Sequence, residues 1–197
     1  MSDFLLIIGG VVILLPFFYI FTNAAPNIYS LLALLLILIP TAAALINGAP
    51  FVPTPIGAVE RMLKIAKLKK GQKVYDIGCG DGRIVYLATK NHEVSATGFE
   101  LSPFIYLLAR IRKILWKSRA KIKFGNFKWH NLSDADVIFC YLMPGSLAKL
   151  EAKLSRELKP GTKVISYAFR ISPWKEVRKH EQDNSIRSAP IWEYEIK

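Results

Sequence analysis

The sequence predicts an α/β protein: a doubly wound, Rossmann-like sheet of seven strands, preceded by an N-terminal hydrophobic helical hairpin. Three observations predict it. Residues 73–83, KVYDIGCGDGR, are a short apolar strand running straight into glycines at 78, 80 and 82. Runs of strand length then alternate with amphipathic runs of helix length through most of the chain. Charge, finally, is confined to one side: all 27 Lys and Arg lie at or after Arg61, and the only acid before Glu60 is Asp3.

The uncharged segment holds two apolar stretches, Phe4–Thr22 and Ile28–Asn47, of 19 and 20 residues. Helices of that length cross a hydrocarbon core of ~30 Å. Residues 23–27 between them are short and turn-rich, so two antiparallel spans are expected, with Pro16 and Pro40 tolerated as kinks. There is no basic n-region and the apolar sequence continues, which argues against a cleaved signal peptide. The positive-inside rule puts the remainder on the cytoplasmic face of a bacterial inner membrane, or on the matrix face of the mitochondrial one. The alternative is a hairpin that lies in one leaflet or binds a partner. Residues 1–48 are thus the expected anchor and 49–197 the globular domain, long enough for one core.

Three prolines keep residues 49–55 extended. Over residues 56–68, Ile56, Val59, Leu63 and Ala66 recur at helical spacing opposite Glu60, Arg61, Lys64 and Lys67, a basic amphipathic helix expected beside the membrane. Gly71 ends it. Next come a strand over 73–77, a helix over 84–90, a strand over 93–99, and a helix opened by Ser102 as N-cap and Pro103 in its first turn, running to about Lys117. Strands over 121–124 and 136–141, a helix over 147–158 and a strand over 163–169 follow. The tail, polar at 175–183 and alternating at 191–196, reads as a closing hairpin and completes the seven strands. In such sheets ligands bind at the carboxyl ends of the strands, here the first, second and fourth.

The glycine loop at that place carries chemistry. Glycine has no Cβ, so Gly78 and Gly80 allow positive φ and let a ligand press on backbone N–H groups at a helix start. A dinucleotide loop, G-x-G-x-x-G, needs a small last residue, and counting from Gly78 that position is Arg83, so nicotinamide and flavin are disfavoured. The run Asp76-x-Gly-x-Gly-x-Gly fits S-adenosylmethionine (SAM), which has no pyrophosphate but does have an ammonium, a carboxylate and a ribose. Asp76 is expected on the ammonium side, through backbone and water. Glu100, 24 residues later at the end of the second strand, is placed to accept both ribose hydroxyls. The plainer alternative is an ordinary tight turn and a surface acid.

Other residues bound the chemistry. Cys79 and Cys140 read as small buried hydrophobes. With His92, His130 and His180 remote from acids and thiols at ligand spacing, no metal site is expected. Beyond residue 59, 27 basic against 14 acidic residues leave +13, a balance that suits anionic lipid, nucleic acid or acidic partners.

Val74–Glu100 resembles class I SAM-dependent methyltransferases. A longer match, PFVPTP, YDIGCGDGRIVYLA, GFELSP, ADVIFCYLMP and LEAKLSRELKPGTKVISYAFRISPW, covers residues 50 to about 175 in order. It resembles the lysine methyltransferases that modify the ATP synthase c subunit and the adenine nucleotide translocase, with their bacterial relatives. The resemblance implies a membrane-associated enzyme. It also implies that Asn126 with Phe127 faces adenine and that Thr54 closes over the methionine end. Many relatives have an aspartate at the position of Asn126; an amide still hydrogen-bonds adenine. The tail after Trp174 matches poorly.

Methyl transfer from a sulfonium is an in-line displacement in which alignment and desolvation do most of the work, but the nucleophile must be neutral. A lysine with pKa near ~10.4 is deprotonated in about one part in several thousand at pH 7. Asp136 starts its strand roughly 16 Å from the carboxyl end and reads as structural. Tyr141 holds the exit position, where its hydroxyl would accept from or orient the amine and its ring attract a methylated ammonium, or where it simply packs. Enzymes that methylate adenine or glutamine nitrogens place Asn or Asp and Pro-Pro there, whereas this chain has Tyr-Leu-Met-Pro. The expected activity is therefore methylation of a lysine in a membrane protein, with membrane lipids as a partner and nucleic acid disfavoured. Phospholipid N-methylation, RNA methylation and a non-enzymatic scaffold are the alternatives.

Overall fold

A computed structural model describes residues 51–197, together with Ile28 and Leu35, which are helical and exposed. The expected spans Phe4–Thr22 and Ile28–Asn47 lie, those two residues apart, outside the described residues. Among the described residues no helix is long and apolar enough to cross a membrane.

The domain alternates as read. Its elements are α1 (Ile56–Ala66), β1 (Lys73–Ile77), α2 (Arg83–Asn91), β2 (Ser95–Glu100), α3 (Pro103–Leu115), β3 (Lys121–Phe124), β4 (Val137–Cys140), α4 (Pro144–Glu157), β5 (Lys163–Tyr167), β6 (Arg178–His180) and β7 (Ile191–Glu195). The sheet runs β3-β2-β1-β4-β5-β7-β6. β1 to β5 are parallel, and β7 is antiparallel to both β5 and β6. All four residues of β4 and the last four of β5 are buried, as expected of parallel strands covered on both faces.

One core cluster joins Ala58, Val59, Met62, Leu63 and Ala66 of α1 to Val85 of α2, Ala109 of α3 and one face of the sheet. Leu147, Leu150 and Leu154 of α4 pack with Ile77, Ile138 and Val164 in a second cluster. The first cluster accounts for the amphipathic pattern of α1. Its apolar face, Ile56 apart, is buried in the domain core, Arg61 is tied to Ser188 Oγ and the Glu181 carbonyl, and Glu60, Lys64 and Lys67 stay exposed on the opposite face.

Smaller departures have local causes. α4 starts at Pro144 rather than 147, because a proline without an N–H suits the first helical position. The Ser102 side chain caps nothing, and its N–H is instead held by a carboxylate. α3 stops at Leu115, with Lys117 in the left-handed region just beyond.

Candidate active site

Strand register assembles the site. Ile77 pairs with Phe99 on one side and with Cys140 on the other, so Gly78, Glu100 and Tyr141 emerge at one level of the sheet's carboxyl edge. Glu100 also pairs with Phe124, which puts Asn126 two residues beyond that level. Strands are ~4.8 Å apart, so Glu100 and Tyr141, at the ends of β2 and β4 with β1 between, stand about 10 Å apart. They would serve different parts of a bound molecule.

The glycine loop is bent as its composition demands: Gly78, Gly80 and Gly82 have φ of 74°, 57° and 83°. The Gly78 and Cys79 N–H groups both donate to the Phe99 carbonyl at 3.0 Å, fastening the loop to β2. Gly80 N–H donates to Glu100 Oε2 at 2.9 Å, and Ser102 N–H to Oε1 at 2.8 Å. A carboxylate accepts about four hydrogen bonds, so each oxygen keeps a lone pair for a ligand hydroxyl.

Asp76 is 2% exposed, and its Oδ2 has no partner among the described residues. Burial, with Glu100 and Asp81 adding, drives its pKa well above the carboxylate range. Burial also raises Glu100. Asp81, 1% exposed, forms ion pairs with Arg83 (Nη2 to Oδ2 2.6 Å) and with Arg112 from α3. Among the described residues, then, Asp76 is a buried acid with no ion-pair partner, which suits a cationic ligand.

The proline-rich segment folds over this loop. A Cβ on Gly80 would lie 2.7 Å from the Phe51 ring, and Arg83 Nη1 donates to the Thr54 carbonyl. Thr54 is thereby buried beside the loop. Asn126 uses its side-chain oxygen to accept from Lys128 N–H at 3.0 Å, capping a short 3-10 turn, while Gly125 N–H donates to the Glu100 carbonyl. Phe127, half-buried in that turn, packs on the second core cluster.

Tyr141 does not stand alone. Tyr167 meets it edge-on at 4.9 Å between ring centroids, and Phe169 lies nearly parallel at 6.4 Å. Burial and Tyr167 raise its phenol pKa, so the hydroxyl stays protonated at neutral pH and is no base by itself. Asp136 is held by Lys73 N–H and Lys159 Nζ, both at 2.7 Å, at the opposite end of β4 from Tyr141.

All eight candidates, Thr54, Asp76, Gly78, Gly80, Glu100, Asn126, Phe127 and Tyr141, belong to this one edge or the segment covering it. Asp81, Phe51, Tyr167 and Phe169 were not singled out in the sequence. Asp81 lies between two glycines with no spacing signal of its own, and its partner Arg112 lies 31 residues away.

Residues 76–178 match the ANTKMT methyltransferase domain. The chain belongs to this family. The enzyme is thus a SAM-dependent methyltransferase, and the loop, the Glu100 oxygens and the unrelieved Asp76 fit that cofactor. A protein-lysine N-methyltransferase of Saccharolobus islandicus (strain REY15A) is 44% identical over 148 residues, 73% of this chain and 92% of that protein. The human lysine N-methyltransferase of the ATP synthase c subunit is 33% identical over 129 residues, 64% of this chain and 54% of that one. The mouse adenine nucleotide translocase lysine N-methyltransferase is 32% identical, over 65% of this chain and 56% of its own length. The chain therefore spans about half of each of these two mammalian relatives. Among solved structures, an RNA methyltransferase from Salinibacter ruber in complex with S-adenosyl-L-homocysteine is 31% identical at a TM-score of 0.69, covering 74% of this chain and 94% of that one.

Proposed function

We propose that the enzyme methylates a lysine ε-amine of a membrane protein, such as the ATP synthase c subunit, at the membrane face where its own Lys and Arg lie. The observation that carries the acceptor is the aromatic group Tyr141, Tyr167 and Phe169 at the exit of β4 and β5, one strand beyond the glycine loop. Bound there, SAM supplies an electrophilic methyl on sulfur. Glu100 would hold the ribose diol, Asp76 the ammonium side, Asn126 and Phe127 the adenine, and Thr54 with Phe51 would shield the loop from water. An aromatic wall of half-buried Tyr141 and Phe169, backed by buried Tyr167, lowers the cost of the neutral amine by desolvation, the neutral Tyr141 hydroxyl orients it, and the ring faces then attract the methylated ammonium. The names of the lysine-methylating relatives support this reading. The uncharged stretches within residues 4–47 support the membrane setting.

RNA methylation is the second reading, carried by the name of the Salinibacter ruber neighbour and by the +13 charge. The test incubates purified enzyme and SAM with c-ring in liposomes and, separately, with RNA, and maps the products by mass spectrometry with Glu100→Ala as control. Modified lysine in the membrane protein is expected. Methyl groups found solely on RNA, or solely on lipid headgroups, would refute the lysine reading.

A further inference from the structure

We propose, whatever the methyl acceptor, that the outer face of α3, with the edge strand β3, is a docking surface for an anionic lipid bilayer. α3 gives the core a single fully buried residue, Ala109. Phe104, Leu107, Ile111, Ile114 and Leu115, at helical spacing, are each 47% to 74% exposed. They form a stripe roughly 17 Å long. A helix on the surface of a water-soluble domain carries polar residues at such positions.

Charge chooses the occupant. Residues 101–133 contain eight Lys and Arg and no Asp or Glu. Arg112 turns inward to Asp81, but Arg110, Lys117, Arg119, Lys121, Lys123 and Lys128 are exposed. Trp116, Phe124 and Trp129 are exposed among them. Aliphatic stripe, basic flanks and tryptophan together are the composition of a helix that lies in an anionic lipid interface. A second copy of the chain would set two acid-free basic faces against each other. RNA would use the cations and stack on Phe124 and Trp129, but it has no use for Leu107, Ile111, Ile114 and Leu115. α3 begins at the carboxylate of Glu100, so docking would hold the rim of the active site at the headgroups.

The test labels full-length protein with an environment-sensitive fluorophore at Ile114→Cys and, as control, at the exposed Lys149→Cys on α4; the native Cys79 and Cys140 are buried. Vesicles contain phosphatidylcholine alone or with phosphatidylglycerol, and an aqueous quencher reads shielding. Position 114 should be shielded in anionic vesicles and position 149 should not. Lys117→Gln with Lys121→Gln should lower that shielding equilibrium on the order of thirtyfold, at ~1 kcal/mol per cation. Leu107→Glu should abolish shielding at position 114 while SAM affinity stays unchanged, which separates lost docking from lost folding. Equal quenching at 114 and 149, shielding already complete without anionic lipid, or shielding produced by RNA instead would each overturn the proposal.

Discussion

Removing the Glu100 carboxylate tests the site where the glycine loop, β2 and α3 meet. In Glu100→Ala the Gly80 and Ser102 N–H groups lose acceptors at 2.9 and 2.8 Å. Both are only partly buried, so water replaces much of that loss in the unliganded protein, and removing an acid whose pKa burial has raised returns some of the rest. Stability should therefore change little. Binding has no such relief, because the ribose hydroxyls lose a charged acceptor worth about 1.5–3 kcal/mol. At 1.4 kcal/mol per decade, SAM affinity should fall ~10- to 100-fold. Glu100→Gln keeps one acceptor oxygen but turns an NH2 toward a backbone donor, so it should fall between wild type and alanine. Isothermal titration calorimetry reads the affinities and thermal melts the stability. An unchanged affinity with a lowered melting temperature would mean that Glu100 merely fastens the loop, and the ribose assignment would be wrong.

Three further outcomes are expected. Asp81→Ala strands the Arg83 and Arg112 guanidiniums beside the loop, which should cost about 3 kcal/mol and lower the melting temperature by roughly 6–12 °C; a change within a degree would show that the pair is not needed. For Asp76 the sign follows from its raised pKa: the folded protein keeps a proton that the unfolded chain releases near ~3.9, so this residue's contribution to stability falls as pH rises toward the folded value. A cationic cofactor favours the ionised carboxylate, so SAM affinity should rise with pH across that window and Asp76→Asn should flatten the rise; affinity that falls with pH in wild type would contradict the role. Tyr141→Phe keeps the ring but removes an orienting hydroxyl that is neutral at working pH, so kcat/KM for methyl transfer should fall up to about tenfold, the worth of one neutral hydrogen bond; unaltered kinetics would leave Tyr141 a packing aromatic.

Much of this site was legible because its chemistry is local. Asp76, the glycines and Glu100 sit on two strand ends whose spacing the sequence displays directly, and parallel pairing of adjacent strands brings them level. Tyr141 was found by the same logic, as the residue leaving the fourth strand. Contacts that depend on distant packing were not legible. Arg112 reaches Asp81 only because α3 lies across the loop, and Tyr167 and Phe169 meet Tyr141 only because β5 neighbours β4. Periodicity, likewise, reveals an apolar face but not what covers it. α1 and α3 carry similar basic amphipathic patterns, yet the fold spends the first on its core and leaves the second in water.

The remaining choice between lysine and nucleic-acid acceptors turns on the nitrogen being methylated. The exocyclic nitrogen of adenine shares its lone pair with the ring, so its enzyme must hold both N–H groups with acceptors to turn that lone pair outward. An aliphatic amine has a localised lone pair and needs only to be neutral and aligned. Here the exit of β4 continues as Tyr141-Leu142-Met143-Pro144. Leu142 is buried against Gly78, Met143 takes the extended N-cap conformation, and Pro144 begins α4 without an N–H. Those side chains are a phenol and three apolar groups, with no amide or carboxylate to grip a planar NH2. Tyr167, the nearest ring to Tyr141, spends its hydroxyl on the Ala189 N–H at 3.0 Å. Such a wall gives little to a base edge, but it suits an alkyl chain ending in an amine that becomes a more apolar cation with each methyl it gains.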